Sequence, residues 1–370
     1  MRVLVVNAGS STLKLSLIGP GDETLAATEL EAAEAEVAPG ALRRALEGGL
    51  GNADAIGHRI VHGGERFDEA VVIDGDVEAG LRDLVDLAPL HQPKSLAALD
   101  AVSAALSGVP AVACFDTAFH ADLPIGARTY ALPASWRERW PIRRYGFHGL
   151  SHGWVARRAP QVLGVDPGLR IVSCHLGAGA SLCAIAGGRS LATTMGFTPL
   201  EGLVMATRSG SVDPGLLLWL LERTGMSERE LSSVLEHDSG LLGLAGTADM
   251  REVLARQAAG DRSATLAVAV YLDRLRAGVA AMAAALGGID ALAFTGGVGE
   301  RSETIRAAAT AGFQFMGIAI DAARNADAEG DAEITLAGSG VRTLVLVARE
   351  DLEIARQVRW VLAGSATEAP

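Results

Sequence analysis

The segment Arg2 to Ile18 runs apolar, breaks at Asn7-Ala8-Gly9-Ser10-Ser11, and turns apolar again, the pattern of two strands joined by a turn of small residues. The same pattern returns at Ile171 to Ile185, with Gly177-Ala178-Gly179-Ala180-Ser181 as its turn. A local pattern repeated at domain spacing points to one architecture used twice rather than to a single large sheet. A length of 370 residues is enough for two cores, and 49% apolar with 21% charged residues excludes a disordered or low-complexity chain. The longest uncharged apolar stretch, Ala277 to Ile289, is too short to span a bilayer, and the opening Met1 to Asn7 reads as a strand rather than a leader. A soluble, cytoplasmic protein is expected. Cys114, Cys174 and Cys183 lie in or beside apolar runs without metal spacing, so buried thiols are expected in place of disulfides or zinc. The net charge is −12 and the only lysines are Lys14 and Lys94. Nucleic acid and anionic membranes are therefore excluded as expected partners, and an anionic small molecule needs locally concentrated cations.

Between the repeated hairpins, strand-like runs alternate with helical ones. Ala55–Val61, Val109–Phe115, Leu292–Thr295 and Thr343–Val347 are expected strands. Val77–Leu87, Pro93–Ala105, Pro214–Arg223, Glu303–Ala311 and the long apolar Ser263–Leu286 are expected helices, and the acidic stretch Ala326–Glu333 reads as a surface loop. Alternation of this kind predicts an α/β fold.

Several segments carry chemistry. Asn7 to Thr12, followed by Lys14, offers flexible backbone amides, hydroxyls and a cation at a tight turn, as a phosphate cradle requires, although small residues also suit an ordinary turn. The turn at Gly177-Ala178-Gly179 repeats the device. Gly296-Gly297-Val298-Gly299 lies at a strand-to-helix turn, where glycines let a flat ligand approach the backbone. In Gly57 to Gly64 the glycines argue against a helical histidine pair at His58 and His62, leaving Arg59 as the useful side chain. Asp116 follows a strand and reads either as a crevice acid or as a helix cap. His148 lies after Arg143 and Arg144 in an aperiodic, Gly-rich stretch, and Arg208 lies in another.

Taken in order, six blocks resemble the acetate kinase family, with its propionate and butyrate kinase relatives. They are Asn-Ala-Gly-Ser-Ser-Thr-Leu-Lys at 7–14, Gly-His-Arg-Ile-Val-His-Gly-Gly-Glu at 57–65, Phe-Asp-Thr-Ala-Phe-His at 115–120, Arg-Arg-Tyr-Gly-Phe-His-Gly at 143–149, Met-Gly-Phe-Thr-Pro-Leu-Glu-Gly at 195–202 and Phe-Thr-Gly-Gly-Val-Gly-Glu at 294–300. The resemblance implies two duplicated actin-like ATPase (ribonuclease H-like) domains with a nucleotide cleft between them, 1–120 plus 351–370 and 121–350, hinged near Ala121 and Arg349. It implies reversible, direct in-line transfer of the ATP γ-phosphoryl group to acetate, giving acetyl phosphate and ADP. Asn7 and Glu350 would hold Mg²⁺ or Mn²⁺. Arg59, Asp116, His148 and Arg208 would be catalytic, and Arg59, Val61, Leu90, Phe147 and Pro199 would bind the carboxylate. Ser10, Thr12, Lys14, His175, Gly177, Ala178, Gly179, Asp249, Met250, Arg251, Gly297, Val298, Gly299 and Arg301 would bind the nucleotide. A homodimer is implied, with the helix at Ser263–Leu286 as its candidate face; a buried core helix is the competing reading of that segment.

Three positions depart from the family pattern. Ala178, Arg301 and Arg349 each stand where an asparagine is usual, which bears on nucleotide affinity and donor choice and leaves the expected acyl pocket unchanged. A propionate-preferring kinase is the near rival, an actin-like ATPase that phosphorylates no metabolite the distant one, and an impaired regulatory relative a third.

Overall fold

Period-two alternation decides how the first sheet is packed. The structure is a computed structural model and describes residues 1–9, 12–31, 39–88 and 92–365. Two compact units emerge, one of Met1–Ala121, Phe147–Trp154 and Arg349–Pro370, the other of Asp122–Gly146 and Val155–Ala348.

In unit 1, strands β1 (Val3–Ala8), β2 (Thr12–Ile18), β3 (Thr24–Glu31), β4 (Ala55–Ile60), β5 (Val71–Val72) and β6 (Ala111–Phe115) form a sheet in the order β3-β2-β1-β4-β6-β5. Strands β1, β4 and β6 are parallel neighbours, while β2, β3 and β5 pair antiparallel. One face buries Val3, Val5, Val112 and Cys114 against Ile354, Ala355 and Val358 of the helix Glu350–Ser365. The other buries Leu4, Val6, Leu13, Leu15 and Ile56 against Ala98 and Val102 of the helix Gln92–Ala105. Each buried Val, Leu or Ile among them, removed from water, contributes roughly 1.5–3 kcal/mol, so both faces specify the register strongly.

Unit 2 repeats this plan. Strands β7 (Arg170–Leu176), β8 (Ala180–Ala186), β9 (Arg189–Thr193), β10 (Ala291–Thr295), β11 (Ala332–Glu333) and β12 (Arg342–Val345) are ordered β11-β12-β10-β7-β8-β9. Taken from its other end, that sheet matches the first strand for strand, including which neighbours are parallel. The duplication visible in the two hairpins extends to the whole topology.

The expected elements form, with shifted ends. Asp74 caps its helix by accepting from the Val77 amide at 2.8 Å, so the helix starts at Gly75 and ends at Asp83, and Val85–Leu87 is a separate 3₁₀ turn. The stretch expected to be a loop at Ala326–Glu333 contains β11, a two-residue edge strand too short to show a period. The helix Arg262–Ala285 buries Ala264, Ala267, Val268, Tyr271, Leu275, Val279, Met282 and Ala283, and so is a core helix of unit 2. All three cysteines are buried and free, as expected. No helix among the described residues is long and apolar enough to cross a membrane.

Candidate active site

In unit 1 the alternation that buries Val3 and Val5 also points Asn7 to the same face, and Arg59 and Asp116 follow by the register of β4 and β6. All three side chains therefore stand at the carboxyl ends of adjacent parallel strands, where α/β sheets place ligands. Arg59 grips Asp116 with a fork, Nε to Oδ1 at 3.1 Å and Nη2 to Oδ2 at 2.6 Å, and its Nη1 donates to Asn7 Oδ1 at 3.0 Å. The helix Glu350–Ser365, packed on this face, brings Glu350 to its first turn. The Glu350 Oε2 atom accepts from Asn7 Nδ2 at 3.1 Å and lies 3.7 Å from Arg59 Nη1.

Asp116 is 2% exposed and Arg59 17%. Burial opposes the charge on Arg59, but Asp116 and Glu350 outweigh it and raise the guanidinium pKa further above its ordinary value. Burial likewise pushes the Asp116 carboxyl up, against the pull of Arg59. The fork is the geometry of an ionised carboxylate, because both oxygens accept. Two carboxylates against one guanidinium leave the cluster short of one positive charge. Among the described residues no group of three or more His, Cys, Asp or Glu could hold a metal. One amide oxygen and one carboxylate, Asn7 and Glu350, still suit a hard cation that keeps its waters and takes its other ligands from phosphate oxygens.

His148 belongs to the same unit. Its backbone is left-handed, with φ 56°, an uncommon conformation outside glycine that tends to occur at functional positions. Its carbonyl accepts from His152 N at 2.9 Å and so opens the helix Gly149–Leu163, while Gly149 N donates to the Asp116 carbonyl at 2.8 Å. A Cβ on Gly149 would fall 2.3 Å from that carbonyl oxygen, so only glycine lets the His148 turn reach Asp116. Phe147 is buried, with the His62 ring edge-on at 5.5 Å. The Phe147 carbonyl can only accept, so His120 Nε2, 3.1 Å away, carries the proton; burial lowers the His120 pKa to about 4 and keeps the ring neutral. Val61 is half-buried just past β4. His58, one residue before Arg59, faces the opposite, apolar side of the strand, where burial lowers its pKa to about 4. Thr12 and Lys14 stand on β2, with Lys14 paired across the sheet to Asn7 and its ammonium 4.0 Å from Glu29. Ser10 and Leu90 lie outside the described residues.

Unit 2 assembles a second group. The ion pair of Arg208 Nε with Glu236 Oε2 spans 2.9 Å, both side chains largely buried, and Arg208 Nη1 lies 3.5 Å from the Pro199 carbonyl. The Gly177–Gly179 turn is tied to the Arg208 loop, since Ala206 N donates to the Ala178 carbonyl at 3.0 Å. His175 is the penultimate residue of β7, with its ring beside Gly177. In the glycine-rich turn Gly296 serves the protein itself: its φ is 78° and a Cβ would meet the Leu176 backbone at 2.9 Å. A Cβ on Gly297 would meet no protein atom within 4 Å, whereas Gly299 is buried and Val298 half-buried. Asp249 caps the helix Met250–Ala258 and pairs with the exposed Arg251 at 2.6 Å, which, together with the Arg251 amide, lowers its pKa to about 2. The Met250 side chain is buried, and Arg301 is exposed. Of the departures, Arg349 pairs with Asp351 at 2.9 Å and donates to Thr24 Oγ1 at 3.1 Å.

Thr117, Gly149 and Glu236 support the site residues without a role that the sequence assigns to them. Thr117 Oγ1 accepts from Gly63 N at 3.0 Å, joining the exits of β4 and β6. Thr117 and Gly149 stand in the blocks at 115–120 and 143–149, whereas no motif in the sequence marks Glu236.

The acetokinase family model matches residues 24–356. The acetate kinase of Nostoc punctiforme is 43% identical, over 98% of this chain and 100% of its own length. The crystal structure of the Porphyromonas gingivalis acetate kinase superposes with a TM-score of 0.89 at 37% identity, over 98% of this chain and 99% of that one. A propionate kinase from Francisella tularensis superposes at 0.90 with 34% identity, over 97% and 99%. The ordered blocks, the duplicated sheets and these likenesses agree, and the chain belongs to the acetokinase family.

Proposed function

We propose that this protein is an acetate kinase, transferring the γ-phosphoryl group of ATP reversibly to acetate to give acetyl phosphate and ADP. The observation that carries the reading is Arg59, locked by Asp116 beside Asn7 and Glu350 in a member of the acetokinase family. Acetate already bears its charge and needs no general base, so transfer rests on alignment and on neutralising phosphoryl oxygens. Arg59 and Arg208 supply that charge to the carboxylate and the moving group, and His148 stabilises charge developing in transfer. Asp116 spends both oxygens on Arg59, which supports orientation of the guanidinium as its role rather than proton abstraction. Val61, Leu90, Phe147 and Pro199 are the residues assigned to the methyl group. Ser10, Thr12, Lys14, His175 and the Gly177–Gly179 turn are assigned to the phosphates, and Asp249 to Arg251 with Gly297 to Arg301 to the adenosine. Asn7 and Glu350 would hold Mg²⁺ or Mn²⁺, which when bound neutralises phosphate charge. Buried, unbridged thiols support a reducing, cytoplasmic setting. Incubation with ATP, Mg²⁺, hydroxylamine and either acetate or propionate should yield acyl hydroxamate, faster with acetate. ATP hydrolysis without hydroxamate from either acid would reject the kinase reading in favour of an ATPase.

The protein also works as a homodimer, paired through the helix Pro214–Thr224. Nothing in that helix is buried, and Leu216, Leu218 and Trp219 are 45%, 64% and 53% exposed. An apolar helix left uncovered marks an association surface, and adjacent Glu222 and Arg223 let a second copy meet it with complementary charge. Light scattering should return twice the chain mass, and Trp219→Glu should halve it; an unchanged dimer would rule this face out.

A further inference from the structure

Residues 194 to 213 form neither helix nor strand. A stretch that long can hold Pro199 and Arg208 in place only if side chains do what backbone ladders do elsewhere. Arg144 and Tyr130 supply the anchors. The Nη1 atom of Arg144 donates to the carbonyls of Thr194 and Met195 at 3.1 and 2.8 Å, and its Nη2 donates to Glu201 Oε1 at 2.6 Å. The Tyr130 hydroxyl donates to Glu201 Oε2 at 2.5 Å and accepts from Phe197 N at 2.9 Å. The Arg144 guanidinium also lies over the Tyr130 ring, 5.5 Å from its centre. Backbone contacts close the arrangement, with the amides of Tyr145 and Gly146 both donating to the Gly196 carbonyl. A Cβ on Gly196 would fall 1.7 Å from Glu201 Oε2 and 2.3 Å from the Tyr130 oxygen, so these two groups occupy the space a side chain there would need. Burial, reinforced by the Glu201 carboxylate, raises the Tyr130 pKa and keeps the hydroxyl a donor.

The pinned points, Phe197 and Glu201, bracket Pro199, and the Pro199 carbonyl lies 3.5 Å from Arg208 Nη1. Loss of a Glu201 bond would therefore act first on Pro199 and through its carbonyl on Arg208, whose guanidinium Glu236 also holds at 2.9 Å. We propose that Tyr130, Arg144 and Glu201 are positioning residues that set the Pro199 wall and the Arg208 guanidinium, and through them the size of carboxylate the protein accepts. The proposal rests on Pro199 and Arg208 serving the carboxylate, as in the functional reading above.

Tyr130→Phe removes one donor and one acceptor without changing the ring, and Arg144→Lys keeps the charge but loses the fork. Steady-state constants for acetate, propionate and ATP should separate in both variants. The carboxylate KM should rise about tenfold, the propionate-to-acetate ratio of kcat/KM should change by about threefold or more, and the ATP KM should stay within about twofold. Tyr130→Phe combined with Arg144→Lys should fall short of the sum of the two single effects, because both residues hold the same Glu201 carboxylate. Unaltered carboxylate constants would overturn the proposal. So would an equal decline for all three substrates accompanied by a lower melting temperature, which marks a merely structural network. If Arg144→Lys does not fold, Tyr130→Phe decides the matter. An unsubstituted chain that makes no acyl phosphate fails the hydroxamate assay first, and overturns both readings.

Discussion

Arg59→Ala should lower kcat by about 10²–10³-fold, since a charged donor aimed at developing charge in a dry site supplies that much. Arg59→Lys should recover little of it, because an ammonium cannot hold Asp116 with a fork and still reach Asn7. The alanine variant should also lose stability. Asp116 is 2% exposed and would be left as an uncompensated buried carboxylate, a situation that costs about 3–5 kcal/mol. Burial already pushes the Asp116 carboxyl up, and without Arg59 nothing on the fork opposes it. A carboxyl whose pKa is raised in the folded state favours folding at low pH and loses that contribution as pH rises through it. The instability of Arg59→Ala should therefore shrink as the pH is lowered, whereas a loss of packing alone would show no such dependence. Urea melts at several pH values, beside turnover, check both parts. A variant with normal turnover would remove Arg59 from the chemistry.

Gly149→Ala should be among the most damaging single methyl additions in unit 1. The added carbon would stand 2.3 Å from the Asp116 carbonyl oxygen and 2.9 Å from Phe119 Cβ, and neither is the far end of a flexible side chain. Overpacking of this kind costs roughly 1–3 kcal/mol or more, and relief requires breaking the 2.8 Å bond from Gly149 N to Asp116. That bond holds the His148 turn to the Arg59 partner, so turnover should fall by about tenfold or more even in the folded fraction. Gly126→Ala is the control: no atom lies within 4 Å of its Cβ, and replacing a helical glycine there should be neutral or stabilising by about 0.4–1 kcal/mol. Equal melting temperatures for the two variants would show that the Gly149 contact is not tight.

Neither effect is visible in the sequence, although the residues are. Asn7, Arg59 and Asp116 stand out as polar groups after apolar runs. Their convergence depends on β1, β4 and β6 being parallel neighbours in one register, and a slip of one residue would turn Arg59 to the face that buries His58. The partners of Arg208 and Arg144 were illegible for a related reason. Glu236 lies on the helix Glu228–His237 and Tyr130 beyond a chain excursion from Glu201, so no local period joins either pair. Periodicity does not tell a core stripe from an exposed one: one face of the apolar helix at Ser263–Leu286 is buried, as the competing core reading of that segment expects, while Pro214–Thr224 has no buried residue.

By itself the sequence determined the duplicated hairpins, the α/β alternation, the buried thiols and the family, because apolar period, turn residues and ordered blocks are local properties of a chain. Tertiary structure alone decided which side chains meet: that Arg59 is forked by Asp116, that Glu201 is held by Tyr130 and Arg144, and which helix stays uncovered. Such pairings depend on register and on contacts between residues far apart in the chain, and both are settled only when the apolar faces are buried.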